Sequence, residues 1–564
     1  MLQKDKSYVR IKHMLIAGLK LTHDGTLAVA KDDQLLFSVE LEKLNNNQRY
    51  KHFDDLNVIE DIFADFNITY GDIDHWVIDG WEMDPENGIS GQNVTCVGNT
   101  KFEVNSYCNC INNIDEGISK LFSSEQFGSY ASYTHIYDHL CSAYCTSEFA
   151  LNNESAFIIV FDGGTKPLLF YYDIDTGKFV FCKELLKFGG DIYSGMASYT
   201  PTFSYSKRIR NGVSTFTQKF AGRVMAYIAC GSVIEELMDL FQAEYEKLTD
   251  DNCISNGWEQ NRKFEKNVFE VINQIPDEDV LLTFHMFLQC KLCEEIKQFF
   301  ESDNRPKCRN LCLCGGNFLN IKWNSAIREM GVFDKIYAPP FINDSGVAIG
   351  AICAKRMELG IGRYLNWNLY SGPMLKNDFK LDGWNEKLCM VSELARFIAE
   401  RRQPVLILNG RSELGPRALG NRSIIADARF LSMKDTLNIV KNREAYRPVA
   451  PICLEEDSKL YFIPGGKDEY MLFEHQATEF GASVVPAIFH IDGTARLQTV
   501  TKESNETIYE LLKAYKGITG ISVLCNTSAN YEGKGFFPDL ISAQKWGKVN
   551  AIWNEGILYY KEVF

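Results

Sequence analysis

No stretch of the 564 residues stays apolar long enough to cross a bilayer, so no membrane partner is expected. The first twenty residues, MLQKDKSYVRIKHMLIAGLK, are charged and hold no apolar h-region, which argues against a secretory leader. Seventeen cysteines without such a leader predict free thiols in a reducing cytoplasm. Paired sulfur ligands are also lacking. Cys290 and Cys293 form a C-x-x-C, but within the helix-period segment LLTFHMFLQCKLCEEIKQFF and with no second pair nearby, so a buried helix face is expected. Cys308, Cys312 and Cys314 flank a strand-like run with no His beside them and are assigned to the core. Proline is scarce at 15 residues, and neither a low-complexity tract nor a repeat of roughly 20–50 residues occurs, which excludes a solenoid. Positive charge is in deficit, 59 Lys and Arg against 74 Asp and Glu, which argues against a general nucleic-acid coat protein. Acidic residues vanish only between Asp191 and Glu235, where Lys207, Arg208, Arg210, Lys219 and Arg223 alternate with Phe203, Tyr205, Phe216 and Phe220. That window reads as a lid or insertion, or as a surface that meets phosphates and stacks bases.

What is present is an α/β pattern too long for one core. HMLIAGLKLTHDGTLAVAKDDQLLFSVELEK reads as strand, turn, strand, turn, strand. SAFIIVFDGGT and NLCLCGGNFLN each end a buried strand in glycines, and FINDSGVAIGAICAKRM sets Asp344 and Gly346 ahead of a helix. Turns of this kind suit phosphate-binding loops. The pattern weakens through NWNLYSGPMLKND, which places a domain junction near residue 365. A helix from Val391, the strand PVLILNG, GISVLCNTSAN and a last strand near GILYY follow.

Gly410 to Pro451 concentrates Arg411, Arg417, Arg422, Arg429, Lys434, Lys441, Arg443 and Arg447. Guanidinium forks beside turn N–H groups suit a polyanionic small molecule. Arg496, Asn526, Thr527, Ser528 and Asn530 add short polar groups and one more cation for phosphate or ribose hydroxyls. His135 and His139 stand four apart on a helical pattern and so share a face. With Asp344, and Asp162 as a second carboxylate, they suit iron or another divalent transition ion. His23 and Asp24 end the first strand, where the imidazole could act as a general base toward an alcohol.

Taken jointly, these segments resemble the ATP-dependent O-carbamoyltransferases of the nodulation-factor, cephamycin and tobramycin type. The matching stretches are THDG (22–25), H-x-x-x-H (135–139), DGGT (162–165), GRVMAYIACG (222–231), GGNFLN (315–320) and PPFINDSGVAIGA (339–351). GRSELGPRALGNRSI (410–424), VKNREAYRPVAP (440–451), HIDGTARLQTV (490–500) and NTSAN (526–530) follow in order. The resemblance implies an N-terminal actin/hexokinase-like (ASKHA-type) domain over 1–365 and a C-terminal YrdC-like α/β domain over 366–564. It implies that ATP, Mg²⁺ and carbamoyl phosphate give carbamoyl-adenylate at Arg417, Arg422, Lys441, Arg443, Arg447, Arg496, Asn526, Ser528 and Asn530. The carbamoyl group then passes to an acceptor hydroxyl beside His23 and Asp24. His135, His139 and Asp344 match the metal ligands, usually of Fe²⁺, with Asp162 as a second candidate carboxylate, and Gly163, Gly164, Gly315, Gly316 and Asn320 would line the adenylate. Ala529 stands where the family usually has Phe.

The acceptor is not readable from the motifs. A composition rich in Asn, Lys, Ile and Tyr suits a phage-like, AT-rich source, and with the basic window it points to 5-hydroxymethylcytosine in DNA, contacted by Lys207, Arg208 and Arg210. The alternative acceptor is a sugar or secondary-metabolite hydroxyl. Readings of another class are a tRNA threonylcarbamoylation protein and a non-catalytic nucleotide-binding scaffold.

Overall fold

The apolar run LIAGLK forms strand β1 (Leu15–Lys20), and a two-residue turn at Asp32 and Asp33 joins β2 (Thr26–Lys31) to β3 (Gln34–Glu40). Asp32 closes that turn at φ +53° and accepts the Met14 N–H at 3.0 Å. β1 pairs in parallel with β4 (His75–Ile78), giving a sheet in the order β3-β2-β1-β4, extended by the strands Gly128–Ser132 and Lys120–Ser124. The computed structural model describes residues 13–81, 93–107, 119–204, 215–249, 257–272, 274–301, 306–376 and 381–561.

A second sheet repeats the first. Its strands run Lys178–Glu184, Leu168–Asp173, Ala156–Val160, Asn310–Cys314, Lys335–Tyr337, with three antiparallel strands beside two parallel ones. The sequence shows no repeat, yet the topology is duplicated. Ala156–Val160 is buried at every residue, as a central strand covered on both faces must be.

Two helices, His135–Cys145 and Val347–Glu358, cross between these sheets and pack on each other. Their approach depends on Gly350, where a Cβ would fall 1.9 Å from the Asp138 carbonyl oxygen. Thr134 caps the first helix by accepting the Tyr137 N–H, and Asp344 opens a short turn directly before the second. Residues from Asn385 onward build a third, eight-stranded sheet around Val405–Leu408, Arg422–Asp427 and Val523–Ser528. The whole is mixed α/β, and among the described residues no helix is long and apolar enough to cross a membrane.

Cys312 and Cys314 are buried as expected. Cys290 is not: the Asp277–Glu301 helix turns Leu288, Leu292 and Ile296 inward and leaves Cys290 exposed and Cys293 half-buried.

Gly350→Ala is expected to destabilise by at least about 1–3 kcal/mol through overpacking. Gly517→Ala, in the Glu506–Thr519 helix with open space at its Cβ, is expected to stabilise by roughly 0.5–1 kcal/mol. Melting curves of the two variants should move in opposite directions.

Candidate active site

The helical spacing of His135 and His139 brings their Nε2 atoms to 3.1 Å. Asp162, at the end of the Ala156–Val160 strand, and Asp344 close the group. His135 Nε2 lies 3.6 Å from Asp162 and 3.7 Å from Asp344, and His139 Nε2 lies 3.4 Å from Asp344. The candidate ligand atoms of all four residues fall within 4.8 Å of one another, and all four side chains are buried. His135 Nδ1 sits 2.9 Å from Asp79, so that nitrogen carries the proton and Nε2 faces the cluster. The Asp344 Oδ2 and the His139 Nδ1 are buried without hydrogen bonds. Burial works against a charged His135 ring, but Asp79 and Asp344 outweigh it and lift the imidazole to about 9. Two imidazoles and two carboxylates within this reach fit a divalent transition ion.

His23 stands beside the cluster, with Nδ1 3.3 Å from Asp24 and 3.4 Å from Asp344. Trp81 packs edge-on to His23, His135 and Tyr107, and Lys20 lies 4.2 Å from the centre of its ring. Lys20 is fully buried, 3.1 Å from Asp79 and 3.4 Å from Asp344. Tyr107 donates to Asp162 at 2.5 Å, and the Gly316 N–H donates to its other oxygen at 3.2 Å.

A cavity of about 1160 Å³ runs from this group into the third sheet. Its wall includes His23, Asp24, Asp162, Gly163, Gly164, Gly316 and Asn320 at one side, and Arg417, Lys441, Arg443, Arg447, Arg496, Asn526, Ser528 and Asn530 at the other. The arginines are poorly compensated. Among the described residues, Arg417 makes one bond, 3.4 Å to the Leu319 carbonyl, and its Nε and that of Arg496 are buried without partners. Among the described residues, the one ion pair of Arg417, Arg443, Arg447 or Arg496 is Arg447 with Glu444 at 3.7 Å. Burial and mutual repulsion push Arg417 down to about 10 and Arg443 to about 9, and hold Arg496 well below the usual range.

Other cations of the Gly410–Pro451 run serve the backbone instead. Arg422 donates to the carbonyls of Asn409, Asn421 and Gly410 and lies off the cavity wall, because strand pairing turns it inward. Arg411 binds the carbonyls of Gly372, Leu36 and Ser371, Arg429 binds Asp427, and Lys434 reaches the Phe489 carbonyl. Lys441 borders the cavity, yet its ammonium donates to the Ser528 carbonyl and to both oxygens of Asn530. Gly315 is absent from the wall: at φ +96° it gives close passage to Phe161, whose carbonyl carbon a Cβ would meet at 2.5 Å. Lys207, Arg208 and Arg210 lie outside the described residues.

Residues 15–353 match the family model for the carbamoyltransferase N-terminus, and residues 395–551 match that for the carbamoyltransferase C-terminus. The chain belongs to the carbamoyltransferase family. It is 39% identical to nodulation protein U of Sinorhizobium fredii over 97% of this chain and 99% of that protein. It is 40% identical to nodulation protein U of Rhizobium tropici over 97% and 96%. Identity is 30% to the 3'-hydroxymethylcephem-O-carbamoyltransferase of Amycolatopsis lactamdurans, over 93% and 94%. The activator of the 2-hydroxyisocaproyl-CoA dehydratase from Clostridium difficile superposes at a TM-score of 0.31 with 13% identity, over 62% of this chain and 97% of that one, too loosely to carry an argument.

As a carbamoyltransferase the protein is an enzyme, which sets the non-catalytic scaffold aside. Several residues of this carbamoyltransferase site escaped pattern reading. Asp79 and Trp81 follow β4 in HWVIDGW, another strand ending in Asp-Gly, and that ending was the available signal. Lys20 reads as an ordinary strand end. Arg49, which borders the cavity from the first part of the chain, sits in what reads as a polar turn.

Arg422→Ala is expected to lower the melting temperature, since the Asn409 carbonyl loses its donor, at about 1–3 kcal/mol for an unsatisfied group, while the carbonyls of Gly410 and Asn421 keep the N–H groups of Leu375 and Asn409. Arg417→Ala relieves repulsion and should leave the melting temperature unchanged or higher.

Proposed function

We propose that the protein is an O-carbamoyltransferase working in two stages. Carbamoyl phosphate, water and ATP give carbamoyl-adenylate, phosphate and pyrophosphate. An acceptor hydroxyl then takes the carbamoyl group and AMP leaves. The observation that carries this reading is one cavity with uncompensated arginines on one wall and His23, Asp162 and Asp344 on the other, the two carboxylates shared with His135 and His139 behind them. In this reading residues 1–365 form the actin/hexokinase-like transfer domain, a reading supported by the two sheets of like strand order. Residues 366–564 form the YrdC-like adenylate-forming domain.

Each stage has a physical basis in the side chains. Arg417, Arg443, Arg447 and Arg496 repel one another until an anion arrives, so a triphosphate gains from half-buried, preorganised cations. They neutralise charge on the departing pyrophosphate as a carbamate oxygen bonds to the α-phosphorus. Gly163, Gly164 and Gly316 let the adenylate approach the backbone, and the buried, unpartnered amide nitrogen of Asn320 can donate to it. In the transfer stage the His23 imidazole removes the proton of the acceptor hydroxyl. The hydroxyl oxygen attacks the carbonyl carbon, and the bond to the adenylate phosphate breaks. Asp24 and Asp344 flank His23 and stabilise the imidazolium that forms. A divalent ion such as Fe²⁺ held by His135, His139, Asp162 and Asp344 would supply positive charge against the adenylate phosphate, and Mg²⁺ would accompany ATP.

For the acceptor, the cephem relative's name specifies a hydroxymethyl group, which supports a primary alcohol on a small molecule. The DNA reading rests on Lys207, Arg208 and Arg210, and no described residue adds support to it.

With ATP and Mg²⁺, pyrophosphate release should require carbamoyl phosphate, and ATP turnover without it would sink the proposal. His23→Ala should keep that release and lose carbamoyl transfer by roughly 10²–10⁴-fold. Asp79→Asn should weaken divalent-metal binding by about 10–100-fold, read as bound metal by elemental analysis. Mass spectrometry of a panel of hydroxymethyl compounds, sugars and hydroxymethylcytosine DNA identifies the acceptor class.

A further inference from the structure

Arg417 is held by its backbone and not by its guanidinium, which among the described residues makes a single bond, 3.4 Å to Leu319. Where Arg417 points therefore depends on what fixes the segment Glu413–Leu419. One clamp is internal: Glu413 accepts the Leu419 N–H at 2.5 Å and the Arg422 N–H at 3.3 Å. The other comes from the end of β3, some 370 residues earlier in the chain. Glu40 accepts the Gly415 N–H at 2.8 Å. Lys43 donates to the Glu413 carbonyl at 2.6 Å and to Glu40 at 2.6 Å. The pair is 4% and 2% exposed, and the Lys43 ammonium also lies 5.2 Å from the Phe536 ring centre.

A buried ion pair is a poor device for stability alone, because desolvation cancels much of its attraction. Two apolar side chains would pack as well. They could not hold a backbone N–H and a backbone C=O of one loop at once. We propose that Glu40 and Lys43 are a positioning pair: they fix the Glu413–Leu419 loop so that Arg417 meets the nucleotide phosphates, and the anion site is incomplete without this strand end. The inference rests on the anion-site reading given above. It means that adenylate formation depends on a residue pair from the part of the chain that carries the transfer chemistry.

The test uses the full chain. ATP KM and kcat are measured for carbamoyl phosphate-dependent pyrophosphate release, with melting temperatures, in E40Q, K43R, E40Q/K43M and R417A. E40Q/K43M leaves no unpaired buried charge, so its melting temperature should fall only slightly, through the one carbonyl that loses a donor. Its Glu413 carbonyl loses the Lys43 donor, so ATP KM should rise about tenfold or more, with a smaller change in kcat. K43R keeps charge and donors and should restore most of the ATP KM. R417A should raise the ATP KM at least as far as E40Q/K43M. A wild-type ATP KM in E40Q/K43M beside a weakened R417A overturns the proposal alone. So does a loss of ATP affinity that simply tracks melting temperature across the variants, failure to fold included. Wild-type behaviour of R417A overturns the anion-site reading itself.

Discussion

The contact of the Val347–Glu358 helix with the His135–Cys145 helix, close enough that Gly350 has no room for a Cβ, sets the distances on which the site depends. Each helix belongs to the space between two sheets of the same strand order. Bringing their backbones together carries Asp344, at the start of one, to the histidines at the start of the other. The strand end at Asp162 arrives by the same duplication. Lys20 and Asp79, at the ends of β1 and β4, then fill the space behind the cluster, so the buried carboxylates face His23, His135, His139 and one lysine.

The opposite wall of the cavity follows another constraint. Arg417, Arg443, Arg447 and Arg496 are crowded, half-buried and nearly without carboxylates. Crowding of this kind opposes folding, and the rest of the fold offsets it with cations that do satisfy the backbone. Arg422 and Arg411 each bind three carbonyls, and Lys441 ties Ser528 to Asn530. The basic run thus divides into cations that hold loops and cations left free for an anion. The Glu40 and Lys43 pair belongs with the first kind, although it lies far away in sequence.

The nature of the elements was readable from local pattern. The apolar runs LIAGLKL and TLAVAK, the apolar run before DGGT and the helical spacing of His135 and His139 depend on neighbours within a few residues, where period and turn chemistry act directly. The family is equally a property of the sequence, because its motifs lie in order along nearly the whole chain. Which arginine faces the cavity was decided elsewhere. Arg417 and Arg422 both sit beside turn residues in GPRALGNR, and only the pairing of Arg422–Asp427 with its neighbouring strands turns one of them inward. The partners of Asp344, the shielding of His135 by Asp79 and the grip of Lys43 on Glu413 span tens to hundreds of residues. No local period records them, and the packing of sheets and helices alone brings them within hydrogen-bond range.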